Sequence, residues 1–340
     1  MTSSRLFIRI AKLALLFTYL IVLAGGFVRM TGSGMGCPDW PKCFGLLIPP
    51  VSESQIKWSA GQEYTSNHML IHNDTLWIAK KNFISTSSFD KNNWKPFEKH
   101  NYAKFNVFHT WAEYINRCIG AIAGLFVIAL FFNSAFNKLN SYQTFGSLLL
   151  LILFGVQAWI GGEVVFSVLD PFKITIHMFV ALIIVSILFV LIHIADKSIV
   201  ENKPSLNNNF NKLIILTLLF SLIQIYFGTQ VREFIDSLPS DKSIWMLEIN
   251  NSQINIHQLV AVFVFILNIY LCVYLAGKFN SFKEIPTEIV YIFSTILILV
   301  ISGVIMLNFN FPGFAQLVHL FSAFVLFGAQ FSLFLKFKFS

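Results

Sequence analysis

The chain has 340 residues, 56% of them hydrophobic and only 12% charged, with a formal net charge of +7. A soluble domain carries about 25% charged residues, so this composition excludes an ordinary soluble enzyme and marks an integral membrane protein. The positive charge does not indicate nucleic acid, because the basic residues are not clustered with aromatics but lie in short loops between apolar runs, as the positive-inside bias predicts.

The first apolar stretch follows Arg5, Arg9 and Lys12 and continues to Val28. Ala24-Gly25-Gly26 offers the small residues of a cleavage site, but the stretch exceeds the roughly 7–15 residues of a signal core. A retained first helix is expected. A bilayer span needs about 20 apolar residues, and such spans are predicted at 8–28, 111–136, 142–161, 174–195, 211–230, 254–276, 287–307 and 313–335. The fold class is therefore an all-α integral membrane protein with about eight transmembrane helices.

An even number of spans puts both termini on one side. Lys138, Lys197, Lys203, Lys212, Lys278, Lys283, Lys336 and Lys338 fall on the same side as Arg5 and Arg9. That side is the cytoplasm, and a multi-pass protein of the cell's inner (cytoplasmic) membrane is expected. Loop 29–108 then lies outside as a small extracytoplasmic subdomain; it is lysine-rich, but long loops cross regardless of charge. Within it, 85–104 is rich in Ser, Asn and Lys and reads as irregular. His68 and His72 would share a face if helical and so form a weak metal pair, although surface histidines in polar loops are common.

Residues 25–45 are the most informative stretch. A hydrophobic helix ends at Arg29, Gly32, Gly34 and Gly36 permit a tight turn, and Pro38 and Pro41 stiffen the chain beyond that turn. Such a structure can lie flat over the mouth of a helix bundle and bring Arg29 to an anionic group. Cys37 and Cys43 sit on the oxidising side, where a disulfide, a redox-active dithiol or two free thiols are the alternatives. Cys118 and Cys272 lie in spans of different halves and read as packing residues.

The halves look related. The first span ends Gly-Gly-Phe-Val-Arg29 and the fifth Gly-Thr-Gln-Val-Arg232. His177 and His319 hold similar places near the outer ends of the fourth and eighth spans. The second opens with Asn116-Arg117 and the sixth with His257-Gln258. This pattern predicts two pseudo-repeated four-helix bundles of equal orientation: an N-terminal half, 1–200, containing loop 29–108, and a C-terminal half, 201–340.

Ionisable side chains inside a membrane suggest function. For any single histidine, a hydrogen bond to a neighbouring helix competes with that reading. His193 lies at the cytoplasmic interface and reads as an ordinary interfacial residue. His257 and His319, at matched depth in one half, suit a shared ligand. Zinc would want further Cys, His or carboxylate ligands, whereas heme needs only two axial imidazoles from facing helices, an apolar slot and cations for its propionates. The Phe-rich helices provide the slot and Arg232 a cation, so the chemistry points to bis-histidine heme b. The N-terminal half offers His177, with Asn116 at the place facing it, which leaves one side of an iron open or weakly filled. His109 stands two turns above Asn116 and is too displaced to replace it. Glu113 shares a face with Asn116; beside Arg117 it reads either as an interfacial ion pair or as a catalytic acid or base at the edge of a macrocycle.

Taken together, these residues resemble the heme A synthase family of membrane proteins over nearly the whole chain. The resemblance rests on Gly26-Phe-Val-Arg29 through Gly45, Glu113-Tyr-Ile-Asn-Arg117, Gly161-Gly162 through His177, and the His257 and His319 helices. It implies oxidation of the C8 methyl group of heme O to a formyl group, giving heme A for terminal oxidases. In its terms Glu113 is the catalytic carboxylate, and His257 and His319 ligate a heme b that carries electrons. His177 faces the substrate iron with Asn116 nearby. Arg29, Arg117 and Arg232 meet propionates or hold the loop, and Cys37 and Cys43 form the extracytoplasmic pair. Implied partners are heme O, a quinone or other electron acceptor, and heme O synthase. Two departures stand out. The family commonly has histidine where Asn116 stands, and 231–253 lacks the second cysteine pair that some members carry. The alternatives are a di-heme b electron-transfer protein without chemistry on heme, and a transporter.

Overall fold

The computed structural model describes residues 3–196, 208–238, 251–279 and 284–338. Lys197, Lys203 and Lys283 of the charge pattern, and most of the expected linker near 196–211, lie outside the described residues. Eight helices are described: α1 (Ser3–Met30), α2 (Val107–Phe136), α3 (Ser141–Phe166), α4 (Pro171–Ala195), α5 (Asn208–Ser237), α6 (Ser252–Ala276), α7 (Thr287–Asn308) and α8 (Gly313–Lys338). All eight are long and apolar enough to cross a membrane. Each contains its predicted span, and the ends extend it by up to two turns where polar caps, rather than hydropathy, set the limit.

Those caps are explicit. Asn140 Oδ1 accepts the Tyr142 N–H at 3.0 Å while Gln143 Oε1 accepts the Asn140 N–H at 3.2 Å, starting α3. Asp170 Oδ1 accepts the Lys173 N–H at 3.0 Å, with Pro171 opening α4. Asn251 caps α6 by accepting the Gln253 N–H. At the other end of α1, Gly32 takes a left-handed φ of +67°, which turns the chain out of the helix.

The chain forms two compact units: residues 1–22, 123–154 and 178–340, and residues 23–122 and 155–177. In the first unit α5 packs on α6 and α8, and α7 on α6 and α8. Leu271, Leu275, Ile292, Ile296 and Leu333 are buried at its centre. Outward positions such as Leu125, Phe145, Leu259 and Val273 are exposed apolar residues, as a lipid-facing surface requires. Polar side chains turn inward instead. Ser134 and Ser147 Oγ lie 2.8 Å apart between α2 and α3. Gln330 on α8 donates to Ser221 Oγ on α5 at 2.9 Å and to Asn268 Oδ1 on α6 at 2.8 Å. Such hydrogen bonds join helices where lipid offers no partner.

The second unit contains the loop subdomain. β1 (Glu63–Tyr64) pairs with β4 (Phe83–Ile84), and β3 (Thr75–Ala79) lies between β2 (Met69–His72) and β5 (Trp94–Pro96), all antiparallel. Asn73 and Asp74, both at positive φ, make the tight turn joining β2 to β3. Tyr64, Leu70, Ala79 and Trp94 are buried against Trp58, Trp77, Phe83 and Phe89. The condition under which His68 and His72 would share a face, a helix through both, is not met. His72 ends a strand and stacks on Phe89 at 4.2 Å, while His68 lies near Gln55 O, and burial lowers its pKa. No cluster of three or more metal-ligating side chains occurs among the described residues. The segment 85–104, read as irregular, contributes β5 and a short 3-10 turn at Lys91–Asn93.

Candidate functional site

In the second unit the glycine-rich turn folds back onto α2. Gly36 lies directly against the backbone of His109 and Thr110, where any side chain would collide, and Thr110 Oγ1 donates to Gly36 O at 2.8 Å. Cys37 and Cys43 are joined as a disulfide. Between them Asp39 accepts the N–H groups of Phe44 at 2.6 Å and Gly45 at 2.8 Å. Burial pushes the Asp39 carboxyl above its ordinary range, opposed by those two hydrogen bonds and by Arg117. The Trp40 ring rests on Gly162 of α3; a carbon added there would lie 3.2 Å from it.

Arg117 fastens this loop to α2. Its Nη1 donates to Asp39 O at 2.7 Å and Lys42 O at 2.8 Å, and Nη2 donates to Cys37 O at 3.3 Å and to Glu113. Glu113 is only 4% exposed and accepts the Cys37 N–H at 2.8 Å through its second oxygen. The ion pair that the sequence offered as the plainer reading of Glu113 is present, but buried beneath the disulfide loop. Removing one partner of a buried pair costs about 3–5 kcal/mol. Arg117→Ala is therefore expected to loosen the 36–45 segment strongly. Limited proteolysis of purified protein would show new cleavage there, and an unchanged pattern would show that the guanidinium does not hold the loop.

On the same unit His177 of α4 faces Gly161 of α3, with 3.5 Å between its Cε1 and a carbon added at the glycine. Gln157, one turn before Gly161, donates to His177 O at 3.0 Å. His177 Nδ1 and Asn116 Oδ1 are both buried without a hydrogen-bond partner among the described residues. Gly25 of α1 faces Asn116.

In the first unit His257 of α6 and His319 of α8 come together, as the sequence suggested. Their ring centres are 6.2 Å apart and the planes tilt by 57°. A metal bound between two imidazoles, with metal–nitrogen bonds of about 2 Å, sets the ring centres roughly 6 Å apart, so the spacing of the pair would suit one iron held between them. Ser302 Oγ lies 3.0 Å from His319 Nδ1, leaving the other ring nitrogen for a metal. Gln224 Nε2 lies 3.1 and 3.2 Å from the His257 ring nitrogens and donates to His257 O at 3.0 Å. Gly228 and Gly303 face the two rings. Arg232, one turn beyond Gly228, pairs with Asp236 at 3.3 Å.

The family whose description is cytochrome oxidase assembly protein, COX15-CtaA, matches residues 9–85 and 88–331. The chain belongs to this family. Among similar proteins, one named Heme A synthase from Ehrlichia canis is 26% identical over 91% of this chain and 86% of its own length. Another of that name from Wolbachia pipientis is 25% identical over 90% and 89%. A third, from Shewanella oneidensis, is 27% identical over 64% of this chain, and the match spans 54% of that longer relative.

Sequence reasoning singled out His257 and His319, which come together, Glu113 and Arg117, which pair, and the two cysteines, which are bonded. It missed Gln157, Gln224 and Ser302, which lie within hydrogen-bond distance of the histidines, and Asp39, which accepts two N–H groups of the loop. Gln157 and Gly161 repeat as Gln224 and Gly228 at the same spacing, a signal present in the residues themselves. Cys272 is buried and Cys118 half-buried, in keeping with packing roles.

Proposed function

We propose that this protein is a heme A synthase, an oxidoreductase that converts the C8 methyl group of heme O into the formyl group of heme A for terminal oxidases. Membership of the family over nearly the whole chain and relatives of that name support the reading. The observation that carries it is Glu113. A carboxylate only 4% exposed, fixed by Arg117 and the Cys37 N–H, stands one helical turn from Asn116, where electron transfer alone would need no acid. At the corresponding place before His257 stands Ile254, an apolar residue.

Substrate heme O is assigned to the N-terminal half, 1–200, with His177 toward its iron, Asn116 near the opposite face and Arg29 toward its propionates. Arg117 is assigned to holding the loop. Oxidation of the methyl to a formyl group takes one water oxygen into the product and releases four electrons and four protons in two two-electron steps. Positive charge developing on the methyl carbon is conjugated with the macrocycle, and the Glu113 carboxylate stabilises it and takes a proton from the attacking water. A site closed to bulk water strengthens that electrostatic effect.

His257 and His319 in the C-terminal half, 201–340, would hold heme b, with Arg232 toward its propionates. When bound, heme b supplies one-electron transfer, toward a quinone or other acceptor. Heme O synthase is the natural donor of the substrate. The halves are a division by repeated sequence, whereas the two compact units are a division by packing. The charge pattern supports placement in the cell's inner membrane with both termini cytoplasmic.

Purification from cells that make heme O, followed by extraction and mass analysis, tests the assignment. Heme b together with heme O or its hydroxylated or formylated product is expected. Heme b alone would make the protein an electron relay, and no tightly held heme would favour a transporter.

A further inference from the structure

Four helix pairs share one local arrangement. A glycine on the first helix faces a polar side chain on the second: Gly25 and Asn116, Gly161 and His177, Gly228 and His257, Gly303 and His319. A carbon added at these glycines would lie 3.9, 3.5, 3.3 and 3.7 Å from the facing side chains. The missing side chain leaves each polar group room to approach the facing helix. The registers agree as well. Gly161 precedes His177 by the interval at which Gly303 precedes His319, and Gly25 precedes Arg29 by the interval at which Gly228 precedes Arg232.

Three of these four places hold an imidazole. The fourth holds a carboxamide whose Oδ1 is buried without a partner, as is Nδ1 of His177. Unpaired side-chain oxygens also occur on Gln157, Gln224 and Gln330, so what singles out Asn116 is its place opposite Gly25, the place an imidazole holds in the other three pairs. Resting on the heme assignments above, we infer that Asn116 occupies an axial place and that the substrate iron takes a protein nitrogen from one side only, His177. The other side is left to a weak, exchangeable oxygen donor held at Asn116.

A carboxamide is shorter than an imidazole and binds iron less strongly. Two imidazoles give a low-spin iron closed to outside ligands. One imidazole facing an oxygen donor gives a high-spin iron that cyanide can reach. The two sites of this chain therefore differ in spin state by construction. A substrate held by one strong bond also leaves more readily as product than a heme held by two.

The test uses the full chain, loaded with ferric heme O and followed by electron paramagnetic resonance and absorption. One low-spin and one high-spin heme are expected, with cyanide converting only the high-spin one. Asn116→His should turn the high-spin heme low-spin and abolish its cyanide response, and Asn116→Ala should leave it high-spin. The signal of the His257–His319 heme reports folding in every variant. A second heme that is already low-spin in the unaltered chain would overturn the inference while leaving the synthase reading intact. So would an Asn116→His protein that retains a high-spin heme. Failure to bind any second heme, with the first low-spin, would overturn the substrate-site reading and this inference together.

Discussion

Replacing Glu113 with glutamine should stop heme A formation while heme b stays in place. Glutamine keeps the length of the side chain and can still accept the Cys37 N–H, so the loop retains that tie. What is lost is the negative charge and the ability to take a proton. Removing one preorganised group that stabilises transition-state charge lowers turnover by about 10²–10³-fold. Product analysis of cells expressing the variant would show heme O accumulating and the low-spin heme b spectrum preserved. Continued heme A formation at the normal rate would remove Glu113 from the reaction. Glutamine is a cleaner test than alanine, which would leave both the Arg117 guanidinium and the Cys37 N–H without their partner.

The second large effect falls on the histidine pair of the C-terminal half. On the proposed assignment, either His257→Ala or His319→Ala takes away one of the two iron ligands, whose rings stand 6.2 Å apart across the bundle. The low-spin heme b spectrum should disappear, with the heme lost on purification, and heme A formation should cease because electrons have no exit. Alanine opposite Gly228 or Gly303 adds no bulk, so the helices keep their packing; far-ultraviolet circular dichroism should stay unchanged. Retention of a low-spin heme in both variants would show that the iron is held elsewhere.

The eight helices were legible because hydropathy over about 20 residues reports directly on bilayer crossing. The meeting of His257 and His319 was legible because titratable side chains at matched depth are rare in apolar helices. The loop subdomain was not. Its strands are two to five residues long, too short for alternation to register, and its order comes from aromatic contacts between distant residues such as Tyr64, Phe89 and Trp94. The role of Arg117 was half legible. Its spacing to Glu113 shows an ion pair on one helix face, but its other acceptors are main-chain carbonyls of Cys37, Asp39 and Lys42, which no side-chain pattern announces. The position of Asn116 was legible as a departure at a single residue. Its meaning emerges only from the glycine that faces it, as glycines face the three histidines.

The hydrogen-bonded trio of Gln330, Asn268 and Ser221 bears on the His257–His319 pair from a distance. Gln330 and Asn268 each stand about three turns along the helix from His319 and His257, and so project from the same sides of α8 and α6. Rolling either helix about its axis would drag an amide into hydrocarbon. The trio thus acts as a rotational stop, fixing the azimuth of both imidazoles ahead of any ligand they would take.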